Sequence, residues 1–273
     1  MFKIRNSINF LFLIIVVHSC LGQVQTLQHE HTTRPTGKPK YTCNICGKIH
    51  DIKKFPIDKS MVSPPGYCSN CKAYARKRTL RYLVTDILPK YINNKIVKSK
   101  PLLTFSAPSR EIRELKKIFS NFKSTVYFWH KGWGDAEAGV DARDLSRYAS
   151  NSFSGVFSMG TFQQFFEQEK AIQEAYRVIS PGGIFITQFM PYHLGVDSEK
   201  NIPPIIVDRF HSTDTYYSHV PRNKEMISVK VGVDWFVKAM NKAGFKGHSV
   251  NVYDEITETT YTWFIGEKPI NNS

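Results

Sequence analysis

Two short runs carry the plainest chemistry in the chain: "CNIC", with Cys43 and Cys46, and "CSNC", with Cys68 and Cys71. In each, two thiols stand at the ends of a tight turn, so both can face one ion. Two such knuckles complete a tetrahedral four-thiolate site, the arrangement of a structural zinc with no open position for chemistry. Two disulfides are the competing reading in an oxidising compartment. A redox dithiol is a third, although nothing sets one pair apart for that work. On the zinc and disulfide readings alike the cysteines staple a segment too short to hold a core of its own. Neither G-x-S-x-G nor H-E-x-x-H occurs, so the signatures of serine hydrolases and zinc proteases are missing.

A second stretch, "LLTFSAPSREIREL" (102–115), reads as a strand, a tight turn and a helix. A nucleotide-binding turn at such a place is normally rich in glycine. Here Ser106, Ala107 and Ser109 are small, and Pro108 suits a first helical position. Backbone N–H groups at a helix start can meet an anionic or polar cofactor. Small residues allow that approach as long as none needs a positive φ.

The elements that must position these residues follow from periodicity. From residue 101, "LLTFS", "STVYFW" (124–129), a third strand near "GVDARDL", "SFSGVFSMG" (152–160) and "GGIFITQFM" (182–190) read as strands. "PSREIRELKKIFSNF", "FQQFFEQEKAIQEAYRVI" (162–179) and "VDWFVKAMNKAGF" (233–245) have helical spacing. "HSVNVY" and "TYTWFIGEK" close the chain as strands. Alternating strand and helix implies a parallel sheet with helices on both faces, which binds ligands at the carboxyl ends of its strands. Ahead of it, "KAYARKRTLRYLVTDILPKYI" is a basic helix whose apolar stripe fades at Pro89.

The net charge of +14 is lopsided. Residues 34–100 hold 16 Lys or Arg against Asp51, Asp58 and Asp86, whereas residues 101–273 hold 19 of each sign. A basic module over 41–100, behind a linker at 23–40, is thus distinguished from a balanced domain over 101–268. The basic helix, with Arg76, Lys77 and Arg78, either meets an anionic partner such as phosphate, nucleic acid, acidic glycan or lipid headgroup, or packs its arginines on the neighbouring domain. Residues 1–22 run from basic "MFKIRNS" through apolar "INFLFLIIVV" to small "HSCLG", the layout of a cleaved secretory signal. An uncleaved anchor and a lipoprotein signal at Cys20 are the alternatives. The apolar run is shorter than the ~20 residues that span a bilayer. The mature chain is expected in the secretory pathway or outside the cell, with no membrane span.

Residues 151–188 resemble the central block of class I S-adenosylmethionine-dependent methyltransferases. There an "sFD-x-V" strand precedes a helix with an "E-x-x-R-V-L" tail and a "P-G-G" that opens the next strand. "EAYRVISPGG" (174–183) is similar to that tail, and "VDARDL" (140–145) to the family's "D-x-x-D-L". "CSNCKAYARKRTLRYL" resembles the four-cysteine module of a methyltransferase type 11-like subfamily. Its first strand opens with "LHFAPE"-like sequence in place of a glycine loop, as "LLTFSAPSREI" does. "RFHSTDTYYSHV" is similar to its "R-F-G-Q-x-D-H-x-R", and "NKAGF" is a usual late feature. The resemblance covers roughly residues 40–267.

It implies a Rossmann-like, seven-stranded α/β fold with helices on both faces, preceded by a small zinc-knuckle module. It also implies methyl transfer from S-adenosylmethionine to an unknown acceptor. Cofactor contacts would come from Ser106, Ala107, Trp129, Asp141, Asp144, Leu145 and Met159, with the adenine met by the backbone and acid of "D-x-x-D-L". His193, His211 and Asp214 are the candidates for removing an acceptor proton. Zinc would sit on Cys43, Cys46, Cys68 and Cys71. The chain departs from the family in three segments. Trp129 and His130 stand where the second strand normally ends in a ribose-binding acid, which leaves Asp135 or Glu137 to reach back. Ser154 replaces an Asp, and Thr215 a His. These departures support an alternative: a catalytically degenerate chain of the same fold, secreted as a binding module for an anionic partner of the basic face.

Overall fold

The computed structural model describes residues 40–51, 68–107, 109–127, 135–189, 196–197, 205–211, 225–254, 256 and 259–270. Residues 1–22, read from sequence as a secretory signal, most of the expected linker, Trp129, His193 and Asp214 lie outside the described residues.

Four strands lie side by side and parallel, each joined to the next by a crossover and not a hairpin. They are β3 (Leu102–Phe105), β4 (Phe122–Thr125), β5 (Phe153–Met159) and β6 (Ile179–Gln188). The C-terminal hairpin of β10 (Lys246–Asp254) and β11 (Thr259–Glu267) completes the sheet in the order β10-β11-β6-β5-β3-β4, with β11 antiparallel to both neighbours. Every residue of β5 is buried, as expected for a strand covered on both faces. The "PGG" that opens this part of β6 has a steric cause. Gly182 has φ +77, and a Cβ on Gly183 would stand 2.6 Å from both Ile179 Cγ2 and the Ser154 carbonyl oxygen.

Six strands, not seven, make this sheet among the described residues. The third strand expected near "GVDARDL" is reduced to a parallel bridge between Thr125 and Glu137, followed by a turn bridged from Asp141 to Asp144. The Asp141 carboxylate accepts the Arg143 backbone N–H at 2.9 Å, a local bond that bends the chain away from an extended path. A separate three-stranded sheet forms between β6 and the last helix. Its strands are β7 (Val196–Asp197), β8 (Ile205–His211) and β9 (Glu225–Gly232).

One face of the main sheet is covered by α4 (Gln168–Val178) and α5 (Val233–Ala243). The other is covered by α1 (Ala75–Tyr82), α2 (Asn94–Ser99) and α3 (Ser109–Leu115). Beyond α1 the expected helix does not continue regularly. It widens into a π-turn at Leu83–Ile87 and tightens into a 3₁₀ turn at Leu88–Lys90, where Pro89 has no N–H to donate. Leu80, Leu83, Val84, Ile87, Leu88 and Val97 share one core with Ile184, Ile186, Val250 and Trp263 of the sheet. The charge step at residue 100 therefore coincides with no break in packing. Among the described residues no helix is long and apolar enough to cross a membrane.

Arg78 fastens the front of the chain to this sheet. Its Nε and Nη2 donate to the two oxygens of Asp254, at the end of β10, at 2.7 and 2.8 Å. The two residues are only 3% and 5% exposed. Burial works against the Arg78 charge, and the Asp254 contacts outweigh it and raise its pKa. Nη1 donates to the Ala73 carbonyl at 2.7 Å, and the Arg78 carbonyl accepts from Asn44 Nδ2 at 3.0 Å, so both cysteine segments hang on this one residue. Arg81 pairs with Glu114, and Arg76 stands 3.8 Å from Glu111, both on α3. Of the two sequence readings of these arginines, packing on the neighbouring domain describes Arg78 and Arg81.

Removing one side of a buried, doubly bonded pair strands the other charge. Arg78→Met or Asp254→Asn alone is expected to lower unfolding free energy by about 3–5 kcal/mol, read by denaturant titration. The combined Arg78→Met/Asp254→Leu chain should lose less than the two single losses added together.

Candidate functional site

The two cysteine turns are built alike. Cys43 N–H donates to Lys48 O at 2.9 Å and Gly47 N–H to Cys43 O at 2.8 Å. In the second turn Cys68 N–H donates to Ala73 O at 2.9 Å and Lys72 N–H to Cys68 O at 2.7 Å. The residue after each second cysteine is left-handed, Gly47 at φ +71 and Lys72 at φ +55. This curl presents both thiols of a pair to one side. The short hairpin of β1 (Lys40–Thr42) and β2 (Ile49–Asp51) frames the first turn.

All four sulfur atoms lie within 4.8 Å of one another. Cys43 Sγ is 3.8 Å from Cys71 Sγ, and Cys46 Sγ is 3.6 Å from Cys68 Sγ. Four thiolates about 2.3 Å from one ion would stand about 3.8 Å apart, so the donor set fits a tetrahedral zinc. The thiols are unbridged. His50 Nε2 lies 3.1 Å from Cys68 Sγ, a second contact on that sulfur. The Asn70 side chain draws the Cys46 thiol down to about 6, while burial pushes Cys71 up to about 12.

The other cluster forms at the carboxyl ends of the parallel strands. Phe105 is in register with Ser158 and Met159 with Gln188, so Ser106, Ala107 and Met159 stand at adjoining strand ends. Ser106 has φ +49 and donates its N–H to Thr125 O at 2.9 Å. The turn therefore does need a left-handed residue, contrary to the condition set from sequence. A serine holds the conformation glycine would take, against a cost of about 1–2 kcal/mol.

Residues 137–140 run beside the end of β4. Val126 N–H donates to Glu137 O and Glu137 N–H to Ser124 O, both at 2.9 Å. Asp141 follows directly. Burial raises its pKa, but hydrogen bonds from the Arg143 side chain and backbone prevail and hold the carboxyl below its usual range. Arg143 also pairs with Glu167 and lies 5.8 Å from the Phe165 ring centre. Asp144 is exposed and accepts from Ser146 N–H at 3.1 Å. Leu145 is fully buried, and its N–H donates to Glu174 Oε2 at 2.7 Å.

The Glu137 carboxylate is engaged by its own surroundings. Lys123 holds it at 2.7 Å, Arg147 at 2.8 Å and the Tyr148 hydroxyl at 2.9 Å, and these contacts pull its carboxyl down to about 2. Asp135 is exposed. Of the candidate bases, His211 is placed in β8, in register with Glu225. Trp129, His193 and Asp214 are among the residues not described.

Sequence reasoning missed Glu111, in the first turn of α3 just behind Ser106 and Ala107. It is buried, and burial lifts its carboxyl to about 7 against the pull of Arg76 and Lys77. A signal was present: Glu111 lies four residues before Leu115, on the apolar stripe.

The family likeness read from "EAYRVISPGG" is borne out, since residues 131–187 match the family model described as a methyltransferase domain. Among curated proteins, no sequence matches the chain. Solved structures to which the chain is similar include three methyltransferases. The 1,6-didemethyltoxoflavin-N1-methyltransferase of Burkholderia thailandensis, solved with S-adenosylhomocysteine, is 10% identical, covers 71% of this chain and 78% of its own, and has a TM-score of 0.43. For an S-adenosylmethionine-dependent methyltransferase of Methanosarcina mazei the values are 14%, 68%, 98% and 0.43. For one of Mesorhizobium loti they are 10%, 66%, 95% and 0.43. The strand order itself carries the Rossmann-like assignment.

The Glu111 shift has a definite sign. A carboxyl whose folded pKa of about 7 exceeds the ordinary 4.5 stabilises the fold at acid pH, and this is lost as pH rises through the folded value. Stability is expected to fall by up to about 3 kcal/mol between pH 5 and 8 from this group. Thermal unfolding of Glu111→Gln should show that slope flattened.

Proposed function

We propose that the chain transfers a methyl group from S-adenosylmethionine to a small or macromolecular acceptor, and that zinc on Cys43, Cys46, Cys68 and Cys71 is structural. The observation that carries the first part is convergence at one sheet edge. The left-handed Ser106 turn, Met159 and the Asp141 loop each stand at a carboxyl end of β3, β5 or β4, inside a chain whose residues 131–187 match a methyltransferase domain.

These residues fit the cofactor chemically. Ser106 and Ala107 are small enough for backbone approach, Asp141 is an ionised acceptor suited to an adenine amino group, and Met159 offers an apolar surface. When bound, the cofactor supplies an activated methyl on a sulfonium, open to in-line displacement. The protein then has to align the acceptor and exclude water. His211, with His193 and Asp214, remains the proposed source of a base for an acceptor that must lose a proton. The binding-module alternative is less favoured, because Arg78 and Arg81 of the basic helix are committed to Asp254 and Glu114. The leader composition over 1–22 makes the secretory route the proposed one.

Titration calorimetry of the processed chain with S-adenosylhomocysteine is expected to give saturable one-site binding. Absence of heat at millimolar ligand would count against the methyltransferase reading. For the knuckles, metal analysis is expected to find one zinc per chain. Stripping it with a strong chelator should lower the melting temperature by several degrees, with recovery on zinc but not magnesium addition.

A further inference from the structure

Glu174 and Arg177 lie three residues apart on one face of α4 and together grip the backbone of another segment. Glu174 Oε2 accepts from Leu145 N–H at 2.7 Å, and Arg177 Nη2 donates to Leu145 O at 2.8 Å. Arg177 Nη1 donates to Tyr148 O at 2.9 Å and lies 3.5 Å from Ser150 Oγ. Its Nε and Nη2 also meet Glu174 Oε1 and Oε2 at 2.8 and 2.9 Å. All five guanidinium N–H groups thus have an acceptor, and one residue, Leu145, has both its backbone N–H and its C=O held by side chains of a single helix. A lysine ammonium, with three donors and no planar fork, cannot reproduce that set.

The gripped residues close the loop that carries Asp141. At its other end the loop is tied to β4 through Glu137, whose carboxylate binds Lys123 of that strand and the Tyr148 hydroxyl. Residues 137–148 are therefore fastened at both ends, to the edge strand and to α4. The span between them, with Asp141 and the N–H of Ala142, is held at the carboxyl edge of the sheet. We infer that Glu174 and Arg177 are positioning residues for the adenosine half of the cofactor, setting where Asp141 and its flanking amides stand without touching the ligand. This rests on the methyltransferase reading. It deepens that reading by assigning work to two residues of "EAYRVISPGG" that lie on α4 and not at the strand ends.

A preorganised loop binds more tightly than one that must be ordered on binding. Arg177→Lys is expected to weaken S-adenosylhomocysteine binding about tenfold by calorimetry, and Glu174→Gln by less, since the amide oxygen still accepts from Leu145 N–H. KM for S-adenosylmethionine should rise while kcat changes less than about twofold. Amide exchange across 141–148 should quicken in both variants, at a temperature where each remains folded. A role confined to stability would lower the melting temperature and leave the dissociation constant unmoved. Should Arg177→Lys fail to fold, Glu174→Gln carries the comparison. Folded variants that bind as tightly as the parent chain overturn the inference alone. A parent chain that does not bind the ligand overturns the function reading and the inference with it.

Discussion

The buried pair of Arg78 and Asp254 ties together two parts of the chain that could not otherwise share a structure. The cysteine turns have almost no core: Cys43, Cys68 and Ala73 are buried with little beyond Ile45 and Cys71 packed on them. Such a module takes its position from what it hangs on, and Arg78 provides the attachment through Ala73 O and Asn44. The cost of burying a guanidinium is met by a two-pronged carboxylate rather than by solvent. That geometry fixes α1 over β10, and α1 in turn lays Leu80, Leu83 and Val84 against the sheet. The basic helix is thus an internal component of the fold as much as a surface.

At the carboxyl ends of the parallel strands, the same economy governs the candidate site. No glycine stands at the first turn, yet the turn adopts the backbone a glycine would have. Its conformation is imposed by the Ser106 N–H reaching Thr125 O across neighbouring strands. The missing third strand is likewise replaced by side-chain work: Glu137 and the α4 residues hold the segment that strand pairing would have held. Beyond the short backbone ladder of residues 137–140 along the end of β4, the loop is positioned by ionic and charge-assisted bonds. These bonds are stronger individually and more specific in direction.

A good part of this was legible in the sequence. The paired cysteine spacing identified the knuckles because two residues between thiols is what a tight turn requires. The period-two and period-3.6 runs located β3, β5, β6, α4 and α5 because one face of each had to be apolar. "PGG" carried its meaning locally, since Gly182 needs a positive φ and Gly183 has no room for a side chain. The third strand was misread because a run such as "GVDARDL" has strand-like ends, and nothing local announces that Asp141 will bond the Arg143 amide.

Composition, spacing and periodicity by themselves determined that this is an α/β chain with a four-cysteine staple and a basic front, and the resemblance of residues 151–188 to a known family block added the methyltransferase-like reading. These are properties of residues within a few positions of one another, and local chemistry suffices to state them. Only the tertiary structure decided which charges are spent inside. Arg78 lies 176 positions from Asp254, and Leu145 lies 29 from Glu174. An arginine that bonds a carboxylate brought in by the far end of the chain looks, in sequence, like one that faces water. The difference lies in desolvation, which exists only once the sheet has closed over both partners.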